Sequence, residues 1–222
     1  MHACRKALSD GRWHFQHGPI DLIIQAHGQA DAVARAHENA WNRFAGVLQE
    51  LVDELPALRT PICLADSCTL RGAVARRMWA ACAPFRTDFV TPMASVAGSV
   101  AQEILQCYVH QGIDRAWVNN GGDIALHLAD GQEAVVGVVA DVAALRGAPM
   151  QPAGWLLDGQ IRIASTMPVR GVATSGWRGR SQSLGIADSV TVLAGTAAQA
   201  DAAATMVANA VNLQDDRIHR LP

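Results

Sequence analysis

The middle of the chain carries the stretch Ala116-Trp117-Val118-Asn119-Asn120-Gly121-Gly122-Asp123-Ile124-Ala125-Leu126-His127-Leu128. Two short apolar runs flank two asparagines and two glycines, a pattern that predicts two strands joined by a turn. The glycines of the turn leave backbone N–H groups uncovered, which suits the binding of a phosphate or the edge of a base. An ordinary turn between strands is the alternative that these residues leave open.

Further strands and a closing helix are predicted downstream of this turn. Two Asp-Gly pairs, which are typical of tight hairpins, each lie between two apolar runs. The predicted hairpins join 124–128 to 134–140 through Asp130-Gly131, and 155–157 to 161–164 through Asp158-Gly159. The pattern also predicts a last strand at 189–194, a closing helix at 197–211, and a mobile loop at 145–153.

Upstream of the turn, the pattern predicts mainly helices. The predicted elements are a strand at 20–27, a long amphipathic helix at 31–55 capped by Asp31 and stopped by Pro56, a helix at 70–83 ended by Pro84, and a strand at 85–90. Thr91-Pro92 opens another helix, since proline is favoured at the first helical position. Its first turns are mostly Ala, Ser and Gly, so a ligand or another backbone can approach them closely.

Composition excludes several classes of function. The 222 residues are 50% hydrophobic and 17% charged with a formal net charge of −2, which argues against a basic nucleic-acid-binding protein. Lys6 is the single lysine, so Schiff-base chemistry is not expected. No apolar run reaches the ~18 residues of a membrane span. Five cysteines without a Cys-x-x-Cys pair, and no apolar signal core near Met1, predict free thiols and a cytoplasmic location.

The length predicts one domain, 1–222, with three parts. Residues 1–90 carry the long helix, 91–212 carry the motifs described below, and 213–222 form a polar tail. Trp13, Trp41 and Trp79 could stack on a ligand ring or pack in the core.

A candidate metal site lies in the predicted closing helix. Asp201 and Thr205 are four residues apart and share a helix face, so a carboxylate and a hydroxyl oxygen can reach one hard cation. Their neighbours are alanines, which leave space above this face. The alternative is an acid favoured by the helix dipole and a threonine bonded to its own backbone.

A second candidate segment is Thr174-Ser175-Gly176, which is followed by Arg178 and Arg180. Hydroxyls, amides and two guanidinium groups in one short segment predict an anion site. A polar loop with solvated arginines is the alternative. Ser175 lacks the Gly-x-Ser-x-Gly elbow of a serine nucleophile, so nucleophilic catalysis there is not expected.

Taken in order, these segments resemble the ApbE superfamily, flavin transferases that move FMN from FAD to a protein threonine. The likeness covers 91–212 and is greatest to a short, functionally uncharacterised branch. Four segments carry it: 93–99 matches the small-residue run of the family, 119–123 its Asn-x-Gly-Gly-Asp turn, 171–176 its Ala-Thr-Ser-Gly segment, and 189–192 with Asp201 and Thr205 its closing strand and metal helix.

The resemblance implies an α+β, T-fold-like architecture of mixed sheets packed with helices, with an internal duplication. It implies FAD or FMN bound by residues 119–123 and 174–176 with Arg178 and Arg180. It also implies Mg²⁺ held by the side chains of Asp201 and Thr205 and the carbonyls of Ala97 and Ala204. The implied partners are the flavin nucleotide, an acceptor protein and a second copy of the chain, with neither nucleic acid nor membrane.

Two family elements are missing here. The family's Lys-Gly pair reads Gly98-Ser99, and its His-x-x-Asp-Pro segment corresponds to 179–188, which has neither His nor Pro. Asp188 is therefore the candidate acid or base. Three functions stay open: a Mg²⁺-dependent enzyme that transfers or releases FMN from FAD, a flavin or nucleotide binder without activity, and an enzyme acting on another anionic small molecule in the same pocket.

Overall fold

A seven-stranded antiparallel sheet organises the fold, with strand order β1-β2-β3-β4-β5-β8-β9. The computed structural model describes residues 2–139, 158–179, 183–213, 215 and 218. β6 and β7 form a second, two-stranded sheet. The strands are β1 (Cys4–Ala7), β2 (Trp13–His17), β3 (Ile20–Gly28), β4 (Ile113–Asn120), β5 (Asp123–Leu128), β6 (Glu133–Val138), β7 (Gly159–Ala164), β8 (Gly171–Ser175) and β9 (Val190–Ala194).

Helices pack against the large sheet, which confirms the predicted α+β class. The predicted mixed sheets are wrong, because all described strand pairs are antiparallel. They are α1 (Ala30–Asp53), α2 (Leu55–Leu58), α3 (Ala73–Cys82), α4 (Val96–Leu105) and α5 (Ala197–Ala210), with 3₁₀ turns at Ala83–Phe85, Pro92–Ser95 and Gln106–Tyr108. The predicted strands at 20–27 and 189–194 and the closing helix at 197–211 are confirmed as β3, β9 and α5. The helix opened by Thr91-Pro92 begins as a 3₁₀ turn and continues as α4.

The two faces of the large sheet are covered by different elements. Successive residues of a strand point to opposite faces. Ala125 of β5 lies in the main core under the helices, whereas Leu126 packs with Ile163 of β7 on the other face. The helices therefore cover one face, and the β6–β7 ribbon covers part of the other.

The long helix α1 buries one side against this core. Its buried positions recur at a spacing of three or four residues and include Phe44 and Val47. Phe15 of β2 meets Trp41 and Phe44 edge-on or tilted, with ring centroids 5.3 and 5.5 Å away. Trp13 also contacts Phe15. Trp13 and Trp41 therefore pack against the main core.

Two predictions about strands are wrong. Residues 85–90 do not form a strand, because Phe85 ends the 3₁₀ turn that contains Pro84 and Asp88 N–H bonds back to the Phe85 carbonyl. Asp130-Gly131 does form a turn, with Gly131 at a φ of 78°, but 124–128 does not pair with 134–139, the described part of the predicted strand. β5 already has β4 on one edge and β8 on the other, so the chain passes into the second sheet after the turn.

Several boundaries also differ from the prediction. Gln29 is the N-cap of α1, so Asp31 lies in the first turn instead of capping it. The long helix ends at Asp53, and Pro56 falls inside the short α2. The helix predicted from residue 70 begins at Ala73, because the Glu54 carboxylate accepts the N–H groups of Arg71 and Gly72 at 2.7 and 2.8 Å.

The sequence analysis did not predict the N-terminal hairpin formed by β1 and β2. Polar residues such as His14 and Gln16 obscure its strand pattern. The predicted strand at 155–157 and the loop at 145–153 lie outside the described residues, as does most of the tail at 213–222.

Helices α4 and α5 touch backbone to backbone at Gly98. A Cβ on Gly98 would lie 2.3 Å from the Ala197 carbonyl oxygen and 2.8 Å from the Asp201 Cβ. Gly171 of β8 is equally crowded, since its Cβ would lie 2.3 Å from the backbone of Thr196 and Ala197. The start of α5 is thus held between α4 and β8, and the expected close approach to the small residues of α4 is observed.

Gly98→Ala is expected to lower the free energy of unfolding by about 1–3 kcal/mol, because the added methyl group forces α4 and α5 apart. Gly46→Ala is the matched control. Gly46 is an exposed position of α1 whose added Cβ would meet nothing closer than 3.6 Å, so this change should stabilise by about 0.5–1 kcal/mol. Urea unfolding measures both, and equal midpoints for the two variants would contradict the packing assignment.

Three helices are joined by one charge network. Glu103 of α4 accepts from Arg43 of α1 at 2.7 Å and from Arg77 of α3 at 2.8 Å. Arg43 also makes two 2.8 Å bonds to Glu50. Burial alone would raise the pKa of Glu103, but the two guanidinium groups outweigh it and hold that pKa below its ordinary value. Glu103 is therefore ionised and stabilising at neutral pH.

Glu103→Gln is expected to cost about 1–3 kcal/mol of stability near pH 7, because two guanidinium groups lose their shared carboxylate. A lowered folded pKa stabilises above the unfolded pKa, and that contribution disappears as pH falls through the folded value. The difference between wild type and variant should therefore shrink below pH ~4 in urea titrations. Glu38→Gln, which breaks the exposed pair with Arg5, is the control and should cost less than ~1 kcal/mol at either pH.

Candidate functional site

Most of the candidate site residues lie at one end of the large sheet. β5 runs antiparallel to β8 with Ile124 opposite Val172, so the start of β5 lies beside the end of β8. The Gly121-Gly122 turn and the entry to β9 are at the same end, since Ser175 pairs with Val190. Segments far apart in sequence therefore meet here.

Helix α5 places two of the predicted metal ligands over this end of the sheet. Asp201 and Thr205 are both 6% exposed. Gly98 N–H donates to Asp201 Oδ2 at 2.8 Å, and Ala97 also donates a backbone hydrogen bond to this carboxylate. Asp201 thus caps the first turn of α4, whose own N-cap, Ser95, makes no such side-chain bond.

The hydroxyl of Thr205 faces two further oxygens. Its Oγ1 lies 3.4 Å from the Ala94 carbonyl, to which it donates, and 3.5 Å from the Ser175 hydroxyl. These separations are long for hydrogen bonds between oxygens. The hydroxyls and carbonyl therefore converge on one place without being tightly bonded to one another.

The β4–β5 turn brings Asn120 and Asp123 to the same cluster. Asn120 Nδ2 donates to the Ala97 carbonyl at 3.1 Å, and Asp123 Oδ1 accepts from Thr174 N–H at 3.1 Å. Asp123 is 8% exposed. The predicted ligand Ala97 is therefore connected to both sides of the site, through its carbonyl to β4 and through its N–H to α5.

Two buried carboxylates in this cluster repel each other. Burial raises the pKa of Asp201 well above its ordinary value, and the negative charge of Asp123 raises it further. The hydrogen bonds from Gly98 and Ala97 offset only part of this. A cation among these oxygens would remove the repulsion and favour both carboxylates in their ionised form.

The donor set fits a hard cation. It consists of the Asp201 and Asp123 carboxylates, the Thr205 and Ser175 hydroxyls and the carbonyls of Ala94 and Ala97. Mg²⁺ takes oxygen ligands, including one or two carboxylates, and keeps waters. No group of three or more His, Cys, Asp and Glu side chains able to hold a metal occurs among the described residues. The side chain of Ala204 packs with Ala173 and Ala200 against the sheet, and its carbonyl belongs to the middle of α5.

The Gly121-Gly122 turn differs in one respect from its prediction. Both glycines have positive φ, 66° and 116°, as a tight turn requires. However, Gly122 N–H donates to Asn119 Oδ1 at 2.8 Å, so it is not available as a bare donor. The space above Gly122 is open, since an added Cβ would meet nothing within 4 Å.

The segment Thr174-Ser175-Gly176 is divided between the two faces of the sheet. Ser175 faces Thr205, whereas the Thr174 hydroxyl is 2.9 Å from Thr191 Oγ1 on the exposed side. Gly176 is pressed against the Asp188 carbonyl oxygen, 2.2 Å from where a Cβ would stand. Ser175 therefore joins the buried cluster and Thr174 joins it only through its N–H.

Asp188 and Arg178 lie at the rim of the site. The Asp188 carboxylate accepts from the indole N–H of Trp177 at 2.9 Å, and the guanidinium of Arg178 lies 4.7 Å from the Trp177 ring centroid. Arg180 lies outside the described residues. Trp177 was missed by the sequence analysis, although its position directly after Gly176 was a usable signal.

Three other buried groups near the site were also missed. Ser95 donates to the Ala198 carbonyl at 2.8 Å and is 3.1 Å from the Ser99 hydroxyl, so these serines tie α4 to α5. Cys82 of α3 is buried, and burial together with the charge of Asp201 raises the pKa of its thiol to about 12. The spacing of four between Ser95 and Ser99 was the available signal for the serines.

Two surface hollows lie away from this cluster. One of about 550 Å³ is bounded by Trp13, His37 and the start of α1, and one of about 520 Å³ by Glu54, Leu70 and Arg71. Neither contains a predicted site residue. Within the described part of the chain, no helix has both the length and the apolar character needed to cross a membrane.

Asp201→Asn is expected to stabilise the protein by about 0.5–2 kcal/mol near pH 7 in buffer containing EDTA. Because the pKa of Asp201 is raised in the folded state, the folded wild type loses stability as pH rises through that pKa. The Asp201→Asn variant has no charge to bury there, and its amide oxygen can still accept from Gly98 N–H. The stability difference between Asp201→Asn and wild type, measured by chemical denaturation, should disappear as pH falls toward ~4. Asp53→Asn, at an exposed position of α1, is the control and should change stability by less than ~0.5 kcal/mol.

A family model described as AbpE bacteria matches residues 5–222. The UPF0280 protein of Methanothermobacter thermautotrophicus is 42% identical over 128 residues, which cover 57% of this chain and 45% of that protein. UPF0280 proteins of Methanothrix thermoacetophila and Methanococcus maripaludis are each 37% identical, covering 55% and 62% of this chain and 46% and 52% of their own. The chain spans about half the length of these curated relatives. From the match over nearly its whole length, the chain belongs to the family described as AbpE bacteria.

Proposed function

We propose that the chain binds FAD together with Mg²⁺ at the sheet end where α4, α5 and the β4–β5 turn meet. The observation that carries this proposal is a buried oxygen cluster beside the first turn of α4. Asp201 is bonded to that turn and lies near Asp123, and the Thr205 hydroxyl faces that of Ser175. Buried carboxylates without a cation repel each other, whereas a divalent cation and a pyrophosphate satisfy them together. The order of the motifs, which resembles that of the ApbE superfamily, favours FAD as the nucleotide.

Each residue of the cluster has a role in this proposal. Asp201 and Thr205 hold Mg²⁺ through side-chain oxygens, and the carbonyl of Ala97 is a third proposed ligand. Asp123, Ser175 and the carbonyl of Ala94 supply the further oxygens of the donor set. When bound, Mg²⁺ neutralises charge on the pyrophosphate. Asn120 orients the Ala97 carbonyl through its 3.1 Å hydrogen bond. The open space above Gly122 admits the nucleotide beside the backbone of the turn.

Helix α4 supports anion binding in a second way. Its N-terminus carries the positive end of the helix dipole, and this end points into the cluster. The network around Glu103 fixes α4 relative to α1 and α3, so the dipole is held in place before a ligand arrives. Such preorganisation lowers the entropic cost of binding.

The proposed reaction is transfer of the FMN half of FAD to an acceptor hydroxyl. The acceptor oxygen bonds to the phosphorus of the FMN half, the anhydride bond to AMP breaks, and the hydroxyl proton passes to a base. Asp188 is the proposed base because its carboxylate is exposed at the rim. Water as the acceptor would release FMN and AMP.

Binding without transfer is the second candidate function. It is favoured by one observation, that the Asp188 carboxylate is already engaged by the indole N–H of Trp177 at 2.9 Å. An anchored carboxylate is less free to take a proton from an incoming hydroxyl. The two candidates share the ligand and differ in the product.

Thermal unfolding with FAD and Mg²⁺, separately and together, tests the binding proposal. Both ligands together at 100 times the dissociation constant should add ~2.7 kcal/mol, a shift of several degrees. Asp201→Asn should remove the dependence on Mg²⁺, whereas the exposed control Asp53→Asn should keep it. Chromatography for AMP after long incubation separates transfer from binding. A shift with another anionic metabolite but none with FAD would refute the proposal.

A further inference from the structure

We propose that Trp177 is the surface on which an aromatic ring of the bound nucleotide stacks, and that Asp188 acts as its positioning residue. This inference rests on the proposed function, because it assigns the ring-binding part of the same site. Neither residue is part of the buried oxygen cluster. With Arg178 they form the ring platform, which consists of Trp177, Arg178 and Asp188.

The platform stands directly beside the buried cluster. Trp177 is two residues beyond Ser175, which corresponds to ~7 Å along an extended chain. Trp177 N–H donates to the Ala187 carbonyl at 3.0 Å, so the pairing of β8 with the β9 side continues past the ends of both strands. A nucleotide whose pyrophosphate lies at Ser175 and Asp201 therefore has a ring within reach of Trp177.

The indole is fixed in its orientation. Asp188 Oδ1 accepts from Nε1 at 2.9 Å, and the Gly176 backbone packs closely against the Asp188 carbonyl, since a Cβ at Gly176 would lie 2.2 Å from its oxygen. Fixing a large side chain costs conformational entropy, and leaving it exposed to water loses the favourable free energy of burying its apolar surface. Trp177 nevertheless remains 49% exposed. A pre-oriented, half-exposed aromatic surface is what a stacking site requires.

The charge beside the ring matches the chemistry of a nucleotide. The Arg178 guanidinium lies 4.7 Å from the centroid of the Trp177 ring, a cation–π separation. Arg178 therefore places a positive charge over one face of the indole, and the nucleotide ring would stack on the opposite face. Aromatic rings and anionic groups occur together in nucleotides, and stacking on tryptophan tolerates different rings because each has a π face. The platform thus accepts either the isoalloxazine or the adenine ring of FAD.

Isothermal titration calorimetry with Mg²⁺ and four probes tests this assignment: FAD, FMN, ADP and inorganic pyrophosphate. Trp177→Leu should raise the dissociation constant of FAD about 5- to 150-fold, the range expected for one stacked base. Trp177→Phe, which keeps a π face, should change it less than ~5-fold. Pyrophosphate has no ring, so its affinity should be the same in all variants. Phe89→Leu, at another exposed aromatic, is the control and should leave every affinity unchanged.

The role of Asp188 is separated from catalysis by a pair of substitutions. Asp188→Asn keeps an oxygen acceptor for the indole and should retain FAD affinity, even where release of AMP is lost. Asp188→Ala loses the acceptor and should weaken FAD but not pyrophosphate. A loss shared by FAD and FMN assigns the isoalloxazine ring to the platform, and a loss shared by FAD and ADP assigns adenine.

The experiment distinguishes failure of the proposed function from failure of the ring-platform inference alone. Wild type that binds pyrophosphate but not FAD overturns the proposed function and this inference with it. Wild type that binds FAD, with Trp177→Leu binding it equally well, overturns the inference alone. Equal weakening of FAD and pyrophosphate by Trp177→Leu would mean a structural effect and would also overturn it.

Discussion

The contact of Asp201 with the first turn of α4 is the interaction on which the site depends. The carboxylate takes the place of a local N-cap for α4, and it can do so because Gly98 has no side chain to separate the helices. Asp201 therefore has both a structural role and a proposed chemical role. A buried acid that caps a helix is structurally useful, yet its raised pKa shows that the carboxylate carries an unfavourable electrostatic energy. The cluster is therefore poised to accept positive charge.

The arginines of the helical layer do not supply that charge. Arg43 and Arg77 are bound to Glu103 and Glu50, on the side of α4 that faces α1 and α3. This arrangement fixes the helix through its charged side and leaves its N-terminus to the buried oxygens. The positive potential at the site then comes from the helix dipole, with Arg178 at the rim. A small cation can enter such a site without displacing an existing ion pair.

The sequence predicted the parts of this structure that depend on local pattern. The turn after Asn120, the strand before α5 and the spacing of Asp201 and Thr205 follow from turn chemistry and helical period, and all lie where expected. The pairing of β6 with β7 did not follow, because the choice of partner depends on which strand edges are already occupied. The capping role of Asp201 and the meeting of Trp177 with Asp188 were also inaccessible, since both depend on long-range backbone contacts.

The sequence separation across the site has a consequence for how the chain acquires it. The bond from Gly98 to Asp201 and the bond from Ser95 to Ala198 each span 103 residues, and α5 is the last helix among the described residues. Contacts between residues so far apart in sequence form late in folding, because the entropy cost of closing a long loop precedes the free energy that the contacts contribute. During synthesis α4 leaves the ribosome well before α5, so the first turn of α4 has no cap until Asp201 has been synthesised. The nascent protein therefore has much of its sheet and core before it has any site.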